Sequence, residues 1–258
     1  MIKPGFLKAQ IAKSRSAKRV SPFLRRMITS TVDQVARDHY GAAYSTKCLQ
    51  ASCAVYDLLA SVGIKSQIVV GAMCAAEVFE GPHYGMWGGF WGNDHHVWVT
   101  TEFYELVDLS VAEMAKHPRA SRADGIPMPP LWWNDIATWP SVLRYLPDTV
   151  IQKPVFPDAA DTADLVLFLS GVRAAWDRQI AQGKVEDVVF TPFLEGGESM
   201  NLFHEAGRPW FAHAIVFQDR GIPFPAWIIE REQELIAAHR ECRRAPTRLA
   251  AMLGALPS

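Results

Sequence analysis

CLQASCAVYDLLASVGIKSQIVVG, residues 48–71, decides how this chain folds, and HVWVTTEFYELVD, residues 96–108, completes the unit. Thr46 to Val62 reads as a helix, because Leu49, Cys53, Tyr56 and Leu59 recur at steps of four, three and three and share one face. Ser45 is the expected N-cap, and Gly63 is the expected terminator, in the left-handed conformation that glycine adopts without strain. Ile64 to Met73 (IKSQIVVGAM) is enriched in β-branched residues and reads as a strand. In the second stretch His96–Thr100 and Phe103–Val107 read as two strands of a hairpin turning at Thr101-Glu102.

Working outward, Pro22 to Asp38 reads as a helix with a stripe of Phe23, Met27, Thr31 and Val35. Residues 80–94 (EGPHYGMWGGFWGND) interleave five glycines with aromatic rings and read as a loop. Ser110 to Glu113 has capping-box spacing and predicts a short helix. Residues 118–160 are rich in Pro and Trp, with little regular pattern. Asp161 to Gln182 and Pro225 to Arg244 read as helices, and Val185 to Phe193 as a strand. Helices followed by strands and then mixed elements predict an α+β domain with an antiparallel sheet.

The chain has 258 residues, 49% of them hydrophobic and 21% charged, so one large domain can bury a core without staples. Net charge is −1, which argues against a general attraction to nucleic acid. Residues 1–32 nevertheless carry eight basic residues and no acid, so 1–27 is expected to form a basic N-terminal arm, with a single domain over 28–258 and its core at about 40–115. No apolar run is long enough for a secretory signal or a membrane span, and the expected location is cytoplasmic. Cys48, Cys53, Cys74 and Cys242 have no CxxC spacing, which argues against a disulfide framework or a cysteine-rich zinc site.

Cys48 sits about three residues into the predicted helix, where unpaired amides and the positive end of the macrodipole lie. A free thiol with a pKa near ~8.5 is mostly protonated at neutral pH, and such a position together with a neighbouring imidazolium favours the nucleophilic thiolate. The plain alternative is a small buried apolar cysteine, which is how Cys53, on the apolar stripe, is read. His95 and His96 open a strand on opposite faces, so either could be a base by geometry alone. Asp108 ends the next strand, where a carboxylate can fix an imidazole tautomer. A metal site from His83, Asp94, His95 and His96 is a further possibility, but its spacing is irregular and no metal or other cofactor is expected.

Helix-start Cys, strand His and next-strand Asp, in that order, resemble the transglutaminase-like and arylamine N-acetyltransferase-like branches of the papain-like cysteine superfamily. The likeness rests on the run from Cys48 to Val62-Gly63-Ile64, on His96-Val97-Trp98-Val99 and on Tyr104 to Asp108, about 60 residues. It implies a papain-like core and a catalytic triad of Cys48, His96 and Asp108, selecting His96 over His95 and Cys48 over Cys53. The chain departs from the acetyltransferases before the cysteine, where Ser45-Thr46-Lys47 stands in place of a Gly-Gly pair. The expected function is a cysteine hydrolase, a peptidase or amidase acting on an amide or ester substrate such as a peptide. The alternative is a non-catalytic member of the fold that binds peptide or protein. Trp87 and Trp91, in a loop expected to wall or cover the cleft, and Tyr44, just before the helix, are the expected substrate-binding residues.

Overall fold

The computed structural model describes residues 2–76, 87–90, 95–118, 128–134, 143–152, 154, 156, 158–182, 193–208, 210–211, 214–215 and 219–244. Helices α1 (Pro4–Ala17), α2 (Pro22–Tyr40) and α3 (Cys48–Ser61) precede strands β1 (Ser66–Ala76), β2 (Trp87–Phe90), β3 (His96–Thr101), β4 (Leu106–Asp108), β5 (Leu131–Trp133) and β6 (Leu143–Ile151). Helices α4 (Ala159–Gln182), α5 (Gly197–Glu205) and α6 (Ala226–Arg244) follow. All of these strands pair antiparallel, in the order β2-β1-β3-β4-β5, with β6 along the other edge of β1. The chain is an α+β protein with an antiparallel sheet.

Alternation along the strands builds two cores. Ile68, Val97, Val99, Val107 and Trp132 face the helical layer of α2, α3 and α4. Val69, Met73, Trp98, Leu131, Trp133 and Tyr145 face the other way, onto Trp210 and Phe211. A fully buried apolar side chain stabilises such a core by about 1.5–3 kcal/mol. Helix α3 runs between the sheet and the outer helices, so Gln50 to Val55, Leu58 and Leu59 are all buried. The single apolar stripe expected for it is therefore too narrow, because α2 and α4 cover the side that a two-layer protein would leave wet. Gly63 adopts φ +71° and ends the helical segment as its sequence predicts.

The expected basic arm is not an arm. Ile2, Val20, Leu24 and Met27 are buried in the helical core, and the Ile2 amide donates to the Ile180 carbonyl at 3.2 Å. The expected boundary at residue 27 falls inside α2, where Leu24, Met27 and Ile28 are all buried. The fully buried Arg25 pairs with Glu105 and, at 2.8 Å, with Glu195. The Val20 amide and the Thr101 hydroxyl also donate to Glu105, at 3.0 and 3.1 Å. This buried ionic cluster ties α2 to the β3–β4 turn.

Four further differences from the sequence expectations concern local structure. Residues 87–90, expected in a loop, form β2 against Met73–Ala76. The stretch 118–160, expected to be irregular, contains the whole of β5 and β6. Ser45 does not cap α3: its hydroxyl donates to the Ala42 carbonyl inside a 3-10 segment, Gly41–Thr46. The segment after Ser110 is also a 3-10 helix, Ser110–Lys116. The expected strand at 185–193 lies outside the described residues apart from Phe193. Among the described residues, no helix is long and apolar enough to cross a membrane.

Candidate active site

Cys48 is the first residue of α3, after Lys47 at φ −111°, ψ 36°. The amides of this first turn have no acceptor within the helix, so partial positive charge gathers around the thiol. One turn on, the buried Ser52 hydroxyl donates to the Val97 carbonyl at 3.1 Å. That bond fastens the start of α3 to the start of β3, one residue beyond His96.

One edge of β1 is shared by two strands. Its residues 66–71 pair with β3 and its residues 73–76 with β2. His96, opposite Gly71, and Phe90, opposite Met73, stand on the two sides of the break. At this break the Cys48 side chain lies close to His96 and interacts with it. Cys48 is half-buried, whereas His96 is only 4% exposed. Gly71 has no space for a side chain: a Cβ there would lie 2.2 Å from the Leu146 carbonyl oxygen and 2.9 Å from the Trp98 ring.

The β3–β4 register pairs Val99 with Val107, which puts Asp108 across from Trp98 and on the face that His96 shares. His96 Nε2 lies 2.6 Å from Asp108 Oδ2, which leaves Nδ1 for the sulfur. Asp108 is held from three further sides. The Tyr145 hydroxyl donates to Oδ2 at 2.7 Å, the Ser110 hydroxyl to Oδ1 at 2.8 Å and the Val111 amide to Oδ1 at 3.1 Å. Phe90 stacks on the His96 ring with centroids 5.2 Å apart, and Trp98 and Tyr145 approach to 6.4 and 6.2 Å.

Burial opposes charge on His96, but the Asp108 carboxylate overrides it and pushes the imidazole up to about 10. Burial likewise pushes Asp108 up, but the His96 charge and the bonds from His96, Tyr145 and Ser110 hold it below the ordinary carboxyl range. At neutral pH the pair is imidazolium and carboxylate. The two shifts define a stability window. The His96 contribution is fully present below its ordinary value of 6.5 and is lost as pH rises through about 10. The Asp108 contribution is present above its ordinary value and is lost as pH falls through the lowered native one. Urea denaturation of the wild type and of His96→Asn should therefore give a stability difference that shrinks as pH is raised from 6.5 to 10. A difference constant across that range would contradict the ion pair.

The structure thus brings Cys48, His96 and Asp108 together. It does not put Tyr44 in contact with solvent: the ring is fully buried, in the 3-10 segment packed against Ser110–Lys116. The expectation that Tyr44 touches substrate is corrected, because that segment is a wall behind the site. The Trp87 backbone pairs with Ala76 in β2, while the rest of the expectation for Trp87 and Trp91 lies outside the described residues. His83 and Asp94 also lie outside them, His95 is exposed, and among the described residues no three His, Cys, Asp or Glu side chains group to hold a metal.

Sequence reasoning missed Tyr145, Ser110 and Phe90. The alternation of Leu143 and Tyr145 in LRYLPDTVI was a strand signal, obscured by Pro147, which sits beside a bulge where β6 accommodates Asp148 between the pairs Val70–Thr149 and Gly71–Pro147. A cavity of about 550 Å³, lined by Arg15, Lys18, Lys65, Glu102 and Tyr104 among others, lies by the β3–β4 turn, at the opposite end of β3, and shares no residue with this group.

Fold and site together define an α+β protein with an antiparallel sheet that carries a buried His-Asp pair beside a helix-start cysteine. No protein-family model, curated protein or solved structure matches the chain.

Proposed function

We propose that this protein is a thiol-dependent acyl-transfer enzyme, a cysteine hydrolase acting on amides or esters through a thioester, with the papain-like arrangement of the transglutaminase-like branch. The observation that carries this reading is the linked series Cys48, His96 and Asp108, with His96 between the sulfur and the carboxylate. The Cys48 thiolate attacks the substrate carbonyl carbon, forming a carbon–sulfur bond and an oxyanion. First-turn amides of α3, that of Cys48 among them, would serve as fixed donors for that oxyanion. As the intermediate collapses, the carbon–nitrogen or carbon–oxygen bond breaks and the leaving group takes the His96 proton. Neutral His96 then accepts a proton from water, which attacks the thioester and releases the carboxylic acid. The thiolate is restored beside the imidazolium. An amine in place of water would give transfer; hydrolysis is preferred because water needs no second binding site.

Iodoacetamide labelling mapped by mass spectrometry tests this reading. Cys53 and Cys74 are buried, and burial pushes both thiols up to about 12, so they should resist. Cys48, half-buried at the start of α3 beside His96, should label at pH 6 at least about tenfold faster than glutathione, the reactivity this reading requires of a nucleophile. Labelling no faster than glutathione would overturn the enzyme reading and leave the peptide- or protein-binding one.

A further inference from the structure

We propose that Tyr145 is a positioning residue of this site, whose hydroxyl keeps the Asp108 carboxylate ionised and aimed at His96. This inference rests on the triad reading above and extends it to a strand outside the resembling segment. A carboxylate has about four acceptor positions and no donor. Those of Asp108 are filled by His96 Nε2 and Tyr145 on Oδ2, and by Ser110 and the Val111 amide on Oδ1. Oδ2 therefore receives two hydrogen bonds, and a proton arriving there must displace one of them. The Tyr145 hydroxyl has to donate, since ionised Asp108 offers nothing to accept.

The placement is specific. Tyr145 comes from β6, which is separated from β3 by β1, yet its hydroxyl reaches Asp108 on β4. The position of β1 that faces His96 is Gly71, where the Trp98 ring occupies the space of the missing side chain. Trp98 in turn meets Tyr145 edge to face, at 5.1 Å and 72°. The ring is thus locked from the side, and no solvent competes for its hydroxyl, since Tyr145 is fully buried. The groups facing Asp108 are His96 from β3, Tyr145 from β6, Ser110 and Val111 from the following 3-10 segment, and Tyr44 from the preceding one, beyond which lie Asp33, Arg37 and Glu113. Tyr145 is the group that acts on Asp108 from across the sheet, and Phe removes its oxygen while keeping the ring.

The experiment compares the wild type with Tyr145→Phe by carbon-13 NMR of the Asp108 carboxyl through an acid titration. Loss of a hydrogen bond to a charged group should raise the Asp108 proton affinity about tenfold, moving its titration up by about one pH unit. Cys48 labelling by iodoacetamide at pH 7 should slow in the same variant. An Asp108 titration unmoved in folded Tyr145→Phe would overturn the proposal. Should that variant not fold, the wild type alone decides: the Tyr145 ring-carbon resonance next to the hydroxyl should shift in step with Asp108, and a static resonance overturns it. Failure of the enzyme reading is separately visible, as ordinary Cys48 labelling in a wild type whose Asp108 still titrates with Tyr145.

Discussion

His96→Gln is expected to slow acylation of Cys48 by an activated aryl ester, p-nitrophenyl acetate, by about 10²–10⁴-fold, the range that a positioned acid-base group supplies. The wild type should give a burst of nitrophenolate matching the concentration of reactive Cys48, and Cys48→Ala should abolish it. Glutamine is close to histidine in reach and can donate one hydrogen bond to Asp108. It cannot give a proton to the leaving group or take one from water, and it cannot supply the positive charge that the Asp108 carboxylate holds on the imidazole up to about pH 10. Three aromatic rings, those of Phe90, Trp98 and Tyr145, pack around His96 and hold its ring in place. The variant should also lose some stability, because Asp108 is only 2% exposed and would keep its charge without its cation. Circular dichroism therefore accompanies the kinetics. A burst rate within a factor of a few of wild type, in a folded variant, would remove His96 from the mechanism.

Arg25→Met is expected to destabilise the protein by about 3–5 kcal/mol, the usual loss when one partner of a buried ion pair is removed. Arg25 and Glu105 are both fully buried, and burial pushes the Glu105 carboxyl up even with Arg25 present. Without the guanidinium, Glu105 keeps only the neutral donors Val20 and Thr101. It would either stay charged in an apolar setting or take up a proton. Glu195, at 37% side-chain exposure, can turn to water and should suffer less. The double variant Arg25→Met, Glu105→Leu should recover much of the loss, since two apolar side chains need no solvation. Urea denaturation of the wild type, the single variant and the double variant measures this. A single variant within ~1 kcal/mol of wild type would mean that the cluster is not holding α2 against the sheet.

The parts of the site legible in the sequence are those joined by short stretches of chain. His96 and Asp108 are twelve residues apart, on adjacent strands of one hairpin, so alternation alone puts them on one face. The helix that begins at Cys48 and the stop at Gly63 follow from local periodicity and from a left-handed glycine. Ser45 does not cap the helix because its hydroxyl bonds to the Ala42 carbonyl within a 3-10 turn, and the helix starts at Cys48 itself. Strand β6 is hidden in the sequence for a related reason: Pro147 interrupts its pattern, and a bulge in the tertiary structure absorbs the interruption.

By itself the sequence determined the α3–β1 unit, the β3–β4 hairpin and the chemical types available at their ends, because propensity, period and turn geometry act over a few residues. Only the tertiary structure decided that Tyr145 meets Asp108 across 37 residues, that Arg25 meets Glu105 across 80 and Glu195 across 170, and that the basic N-terminal segment is part of the core. Those meetings depend on which faces pack together in the finished sheet and helical layer. Burial then converts each meeting into a strong electrostatic constraint, which no local pattern in the chain encodes.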